Sequence, residues 1–213
     1  MDFGEFVSFI FERSDDRREW YFDPELVSPE LNADTMVQFA SRVFSEIRVY
    51  AHQFTEGQLS LGLNYLINPS CSSYCYSFLD ASVDVVTRTS AISSMYDVFR
   101  YVFTKISSEM PSRNVPTQPY SYNYICYMWW DVFPRHGIPA QRDLEGIDKV
   151  ILDTLKKILM LNSIACKESA LHGLGHWYAA YPEFVQQTID SMSSDIPVQL
   201  KKFALNARAG SIQ

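Results

Sequence analysis

Residues Ala165 to Tyr181 read ACKESALHGLGHWYAAY, and their spacing decides the fold class. Two histidines, two glycines and an apolar stripe fit into about four helical turns. Gly173 and Gly175 fall inside this helix, where a glycine costs up to ~1 kcal/mol relative to alanine. Such positions call for a close helix approach.

Working outward, a turn at Asn162 and Ser163 separates this helix from an amphipathic one over Asp143 to Leu161, with Leu144, Ile147, Ile151, Leu155 and Ile158 on one face. Beyond Pro182 a shorter helix carries Val185, Ile189 and Met192. After Asp195 and Pro197 a last one carries Leu200, Phe203, Ala204 and Ala207.

Toward the N-terminus, Thr35 to Ala51 repeats Met36, Ala40, Val43, Ile47 and Tyr50 at steps of three and four, with a cap at Asn32 to Thr35. Thr55 and Gln58 form a capping box for a helix with Leu59, Leu63 and Leu66, ended by Pro69. Further helices are expected from Tyr76, Leu79, Val83 and Val86, and from Met95, Val98, Val102, Ile106 and Met110. Ser28-Pro29-Glu30 gives a helix-start signal. Residues 1–24 read as an irregular lead-in with one helical turn at Glu5 to Phe11. Strand-type alternation is almost absent, so the chain reads as all-α.

Pro111 to Asn123, PSRNVPTQPYSYN, breaks the rhythm with three prolines. We read one domain over 1–213 of about nine helices, subdivided at the 111–124 loop into parts 25–110 and 125–208. Tyr120, Tyr122 and Tyr124 alternate beside the loop, and Trp129 and Trp130 follow in a short helix ending near Pro134. This aromatic cluster either seals the junction between the halves or forms a contact patch for a partner or a second copy of the chain.

Faint repetition accompanies the helical pairs. Ser169-Ala170-Leu171-His172-Gly173 is echoed by Phe203-Ala204-Leu205-Asn206-Ala207 thirty-four residues on, and Gly62 to Leu66 echoes Gly173 to Trp177. On these residues, and mainly over 143–207, the chain resembles HEAT or armadillo-type repeats. Ala170, Leu171, Gly173, Leu174 and Gly175 match the small-residue pattern of the second helix. The resemblance implies antiparallel helix pairs stacked as a short right-handed α-α superhelix, with a concave binding surface. The Asp and Arg positions usual in such turns are not present.

Composition bounds the function. The formal charge is -7, with 25 acidic against 18 basic residues, which excludes a chain whose main task is gripping phosphate backbones and favours a basic partner. The N-terminus MDFGEFVSFIFERSDD has no cationic region before its apolar run, and no stretch approaches the ~18 apolar residues of a membrane span. We expect a cytoplasmic bacterial protein. Cys71 and Cys75 lie four apart, but no second Cys or His pair nearby completes a zinc site. No Walker loop, no G-x-S-x-G elbow and no dinucleotide fingerprint occur, and no cofactor is expected.

One constellation carries chemistry. Glu168, His172 and His176 are spaced by four on a single helix stripe, and two imidazoles at that spacing can share one metal ion, with the carboxylate as a third ligand. The zincin pattern needs a glutamate directly after the first histidine, where Gly173 stands. His136, in Pro134-Arg135-His136-Gly137, reads as a turn residue, and His52 has no evident partner. The expectation is therefore a non-enzymatic interaction or scaffold module binding another protein, with Glu168, His172, His176, Tyr120, Tyr122, Tyr124, Trp129 and Trp130 as candidate contacts. The alternative is a metal-dependent enzyme using Glu168, His172 and His176.

Overall fold

In the computed structural model the described residues are 1–14, 18–106, 118–143 and 146–212. Among them the chain forms ten α-helices and no strand, so the all-α expectation holds. These are α1 (Phe3–Phe11), α2 (Ala33–Ser45), α3 (Ile47–Gln53), α4 (Glu56–Ile67), α5 (Val85–Tyr101), α6 (Tyr122–Val132), α7 (Ile147–Leu159), α8 (Ile164–Trp177), α9 (Pro182–Ser191) and α10 (Lys201–Arg208).

Capping chemistry sets most of the starts. The Thr55–Gln58 box forms as expected, and Asn32 accepts the Thr35 N–H. A second box, Asp2 with Glu5, makes the supposed lead-in a full helix that buries Phe6, Val7, Ile10 and Phe11 against α4. Gly62 permits that contact, since a Cβ there would lie 2.5 Å from the Phe11 ring.

Several expected boundaries move, each for a local reason. Ser28 starts no helix, because its hydroxyl pairs with the Tyr65 hydroxyl at 2.6 Å while the Pro29 carbonyl accepts from Tyr74. The Thr35 to Ala51 pattern divides into α2 and α3 at Glu46, whose carboxylate accepts from both Arg42 and Tyr50. The helix expected after Cys71 is a 3-10 segment, Tyr74–Leu79. It ends where Asp80 accepts the Ser82 N–H, and Asp84 then caps α5 through Val86 and Thr87. Val86 therefore belongs to α5, and α5 stops at Tyr101, ahead of Ile106. Met110, Leu144 and most of the 111–123 loop lie outside the described residues.

The buried side chains form one continuous cluster from Phe6 to Ala207. Within it α2 packs on α5, α5 on α7, α4 on α6, and α8 touches α6, α7, α9 and α10. Trp129 is fully buried, with the rings of Phe99, Phe103 and Phe44 at 5.6, 5.8 and 5.9 Å. Trp130 is buried beside it and stacks on Phe99. Neither tryptophan is available as a surface contact: the aromatic run lies in the core because both residues face inward on α6.

Helix α8 stands at the centre of this packing. Twelve of its fourteen residues are buried, on every side of the helix, which explains why its sequence lacks a polar face. Its start is capped by Ser163, and Lys167 reaches back to donate to the Leu159 carbonyl at the end of α7. Gly173 is a point of close approach: a Cβ would lie 2.6 Å from Leu155 of α7 and 3.0 Å from Trp130 of α6. The glycine thus brings α6 and α7 down onto α8 at the level of its two histidines.

Candidate metal centre

His172 and His176 project from successive turns of α8 with ring centres 4.8 Å apart. The carboxylate that meets them is Asp131, on the last turn of α6, directly after the tryptophan that packs on Gly173. Asp131 Oδ1 is 3.0 Å from His176 Nε2 and 4.0 Å from His172 Nε2. One ligand atom from each of the three side chains lies within 4.8 Å of the others, a group able to hold a metal ion.

The polar pairing around these atoms is incomplete. Asp131 Oδ1 approaches His176 Nε2 to 3.0 Å without forming a hydrogen bond. His176 Nε2 and His172 Nδ1 are both buried nitrogens with no hydrogen-bond partner. Buried polar atoms are normally paired, and an unpaired one calls for an explanation such as an ion. The unpaired His176 nitrogen faces Asp131, as does His172 Nε2, whereas the unpaired atom of His172 is its other ring nitrogen.

The electrostatics favour the ligating form. Burial, reinforced by His176 and His136 and opposed by Asp131, pushes the His172 imidazolium down to about 4 from the ordinary 6.5. His172 is therefore neutral at pH 7, as a metal ligand must be. The side chain of His172 is 6% exposed, those of His176 and Asp131 29% and 36%, so His172 is the buried member and the other two reach partly to the surface. Tyr127 covers the His172 ring at 4.5 Å, and Phe203 of α10 approaches at 6.3 Å.

Glu168, expected as the carboxylate, is not in this group. The helix itself explains why. Residues 168 and 176 are separated by about 12 Å of helix rise and by roughly 80° of rotation, so three positions in steps of four cannot all reach one ion. Glu168 is instead fully buried beside Cys126, whose thiol it helps push upward.

The remaining candidates fall elsewhere. Tyr120, Tyr122 and Tyr124 are half-buried at the start of α6. Tyr122 donates its amide to Glu56 and packs on Phe103, and Tyr124 is close enough for Asp131 to help raise its hydroxyl pKa. Burial pushes the thiols of Cys71 and Cys75 up to about 12 and about 11, which disfavours the thiolate a metal requires. His52 is exposed on α3.

Two residues of the neighbourhood escape the sequence reading. Asp131 is a lone carboxylate in the aromatic run MWWDVF, and that isolation is its only signal. His136 reads as a turn residue, yet its ring centre lies 5.3 Å from that of His176. Three of the chain's four histidines therefore gather at one place.

No protein-family model, no curated protein and no solved structure matches the chain. No helix among the described residues is long and apolar enough to cross a membrane.

Proposed function

We propose that the protein is a metal-dependent enzyme whose centre is Asp131, His172 and His176 around one divalent transition-metal ion. The observation that carries this reading is the convergence of two imidazoles and one carboxylate, from two different helices, within 4.8 Å. Two histidines and one carboxylate with open positions make a donor set suited to zinc or ferrous iron. Such an ion supplies Lewis acidity and an activated water at neutral pH, or oxygen chemistry where it is ferrous.

The chain's own residues would divide the work. Neutral His172, buried under Tyr127 and Phe203, anchors the dry side. His176 and Asp131 hold the solvent side, where a substrate would enter. Gly173 fixes the distance between the two ligand-bearing helices by letting Trp130 sit against α8.

The scaffold reading rests on other features. Helices α7 and α8 form a short-loop hairpin, α9 and α10 are in contact, and the net charge of -7 would suit a basic partner. A stacked repeat array is the finer arrangement that reading needs. Burial of Trp129 and Trp130 removes its most aromatic contact candidates.

Dialysis of metal-free protein against micromolar zinc, followed by metal analysis, tests the proposal. One ion per chain is expected in the wild type and in Glu168→Gln, and none in Asp131→Ala or His172→Ala. A wild type that retains no zinc, iron or manganese refutes the centre. Retention by Asp131→Ala at wild-type affinity refutes this choice of carboxylate. A loaded protein inert toward ester, peptide and phosphoester panels, and as the ferrous form toward oxygen, would refute the catalytic reading.

A further inference from the structure

His136 stands against the centre without belonging to its three gathered ligand atoms. Its position is built from both sides. Before it, Arg135 donates from Nε to Asp148 Oδ1 at 2.7 Å and from a terminal nitrogen to the Gln141 carbonyl at 2.6 Å. Asp148 is itself fully buried and also accepts from the Tyr181 hydroxyl and the Asp143 amide. After it, Gly137 presses onto the backbone of α8: a Cβ there would lie 2.8 Å from the Trp177 Cα. The chain between α6 and α7 is thus pinned twice, and the residue held between the pins is a half-buried histidine facing His176.

The spacing of the rings has a specific meaning. A metal–nitrogen bond of ~2.1 Å plus about 1.1 Å from nitrogen to ring centre puts each imidazole centre roughly 3.2 Å from a shared ion, and a tetrahedral angle then separates two centres by about 5.2 Å. The observed separations are 4.8 Å for His172 and His176 and 5.3 Å for His136 and His176. Both ring spacings match imidazoles sharing one ion; the His136 nitrogens are not yet in the gathered group, and rotation of its ring, which leaves the ring centre in place, is the movement that would add one.

We propose that His136 is a fourth, exchangeable ligand, which closes the centre at rest as a set of one carboxylate and three imidazoles and gives up its position to an incoming anion. The proposal rests on the three-residue centre argued above and assigns its open position a resident. A closed resting centre keeps stray anions off the ion, and a small anionic substrate would enter by displacing a ligand carried on a loop rather than on a helix.

Cobalt(II) loading of the full chain, read by visible absorption and followed by azide titration, tests it. In the wild type the intense band of a four-coordinate ion and weak azide binding are expected. In His136→Ala the band should weaken as waters raise the coordination number. Cobalt affinity should fall by at least the roughly 10- to 100-fold that loss of an outer-shell partner costs, and azide should bind about 10-fold more tightly. Identical spectra and azide affinities in the two proteins would overturn the proposal while leaving the three-residue centre intact. A wild type that takes up no cobalt would overturn both. Should His136→Ala fail to fold, X-ray absorption of the zinc-loaded wild type decides the matter by counting imidazoles, three supporting the proposal and two refuting it.

Discussion

Substituting Gly173 by alanine separates two readings of the glycine-rich helix by the sign of their effect. If only intrinsic helix propensity mattered, Gly173→Ala would stabilise the protein by about 1 kcal/mol. The structure predicts the reverse. The new methyl would lie 2.6 Å from Leu155 Cδ2 and 3.0 Å from Trp130 Cβ, against an optimal carbon–carbon separation of about 3.5–4.0 Å. The leucine tip can turn, but the tryptophan is buried with its Cβ fixed to α6. Overpacking of this kind costs about 1–3 kcal/mol, so after the propensity gain the net loss is about 0–2 kcal/mol. For a chain of this size that lowers Tm by up to about 8 °C. Gly175→Ala is the control, because the nearest atoms its methyl would meet all belong to the Ile212 side chain, on a non-helical stretch that shifts more cheaply than a buried tryptophan. It should be neutral or stabilising. Denaturant unfolding of both variants, with zinc affinity measured by competition, checks the pair. Trp130 precedes Asp131, so an outward shift of α6 should weaken zinc binding in Gly173→Ala alone. A Gly173→Ala protein about 1 kcal/mol more stable than wild type, with unchanged zinc affinity, would refute close approach as the reason for the glycine.

Further outcomes follow from the buried network, the core and the site. Asp148→Ala leaves the Arg135 guanidinium and the Tyr181 hydroxyl without their shared acceptor; the expected loss is about 3–5 kcal/mol, seen as a large fall in Tm. Trp129→Ala should cost about 3–5 kcal/mol in unfolding free energy, whereas a tryptophan serving only as a contact residue would cost almost nothing. In metal-free protein, His172 is held neutral with its pKa depressed from 6.5 to about 4. The unfolded chain therefore binds more protons in that window, and stability falls as pH drops from 6.5 toward 4, by on the order of 3 kcal/mol. His172→Gln should flatten that part of a pH-dependent urea titration, and an unchanged slope would refute the assigned burial.

The fold and the site were legible to different degrees because local rules act within a segment and the site is assembled between segments. Thr55, Gln58, Asn32 and Ser163 announce helix starts because a capping side chain serves an amide two or three residues away. The same reasoning misplaced the segments at Ser28 and Cys71, where Tyr65 and Tyr74 from elsewhere in the chain take the polar groups that a cap or a helix would use. At the site, a spacing of four puts His172 beside His176, since adjacent turns bring ring centres within 5 Å. It failed for the carboxylate because helix rise and rotation carry Glu168 away from His176 while tertiary packing delivers Asp131. The sequence did carry one trace of that delivery, the glycine at 173. A glycine in a helix marks where something approaches, and what approaches here is Leu155 of α7 together with Trp130, the residue next to the proposed third ligand. Gly173, between the two histidines, is thus a trace within the sequence of the partner helix that carries Asp131.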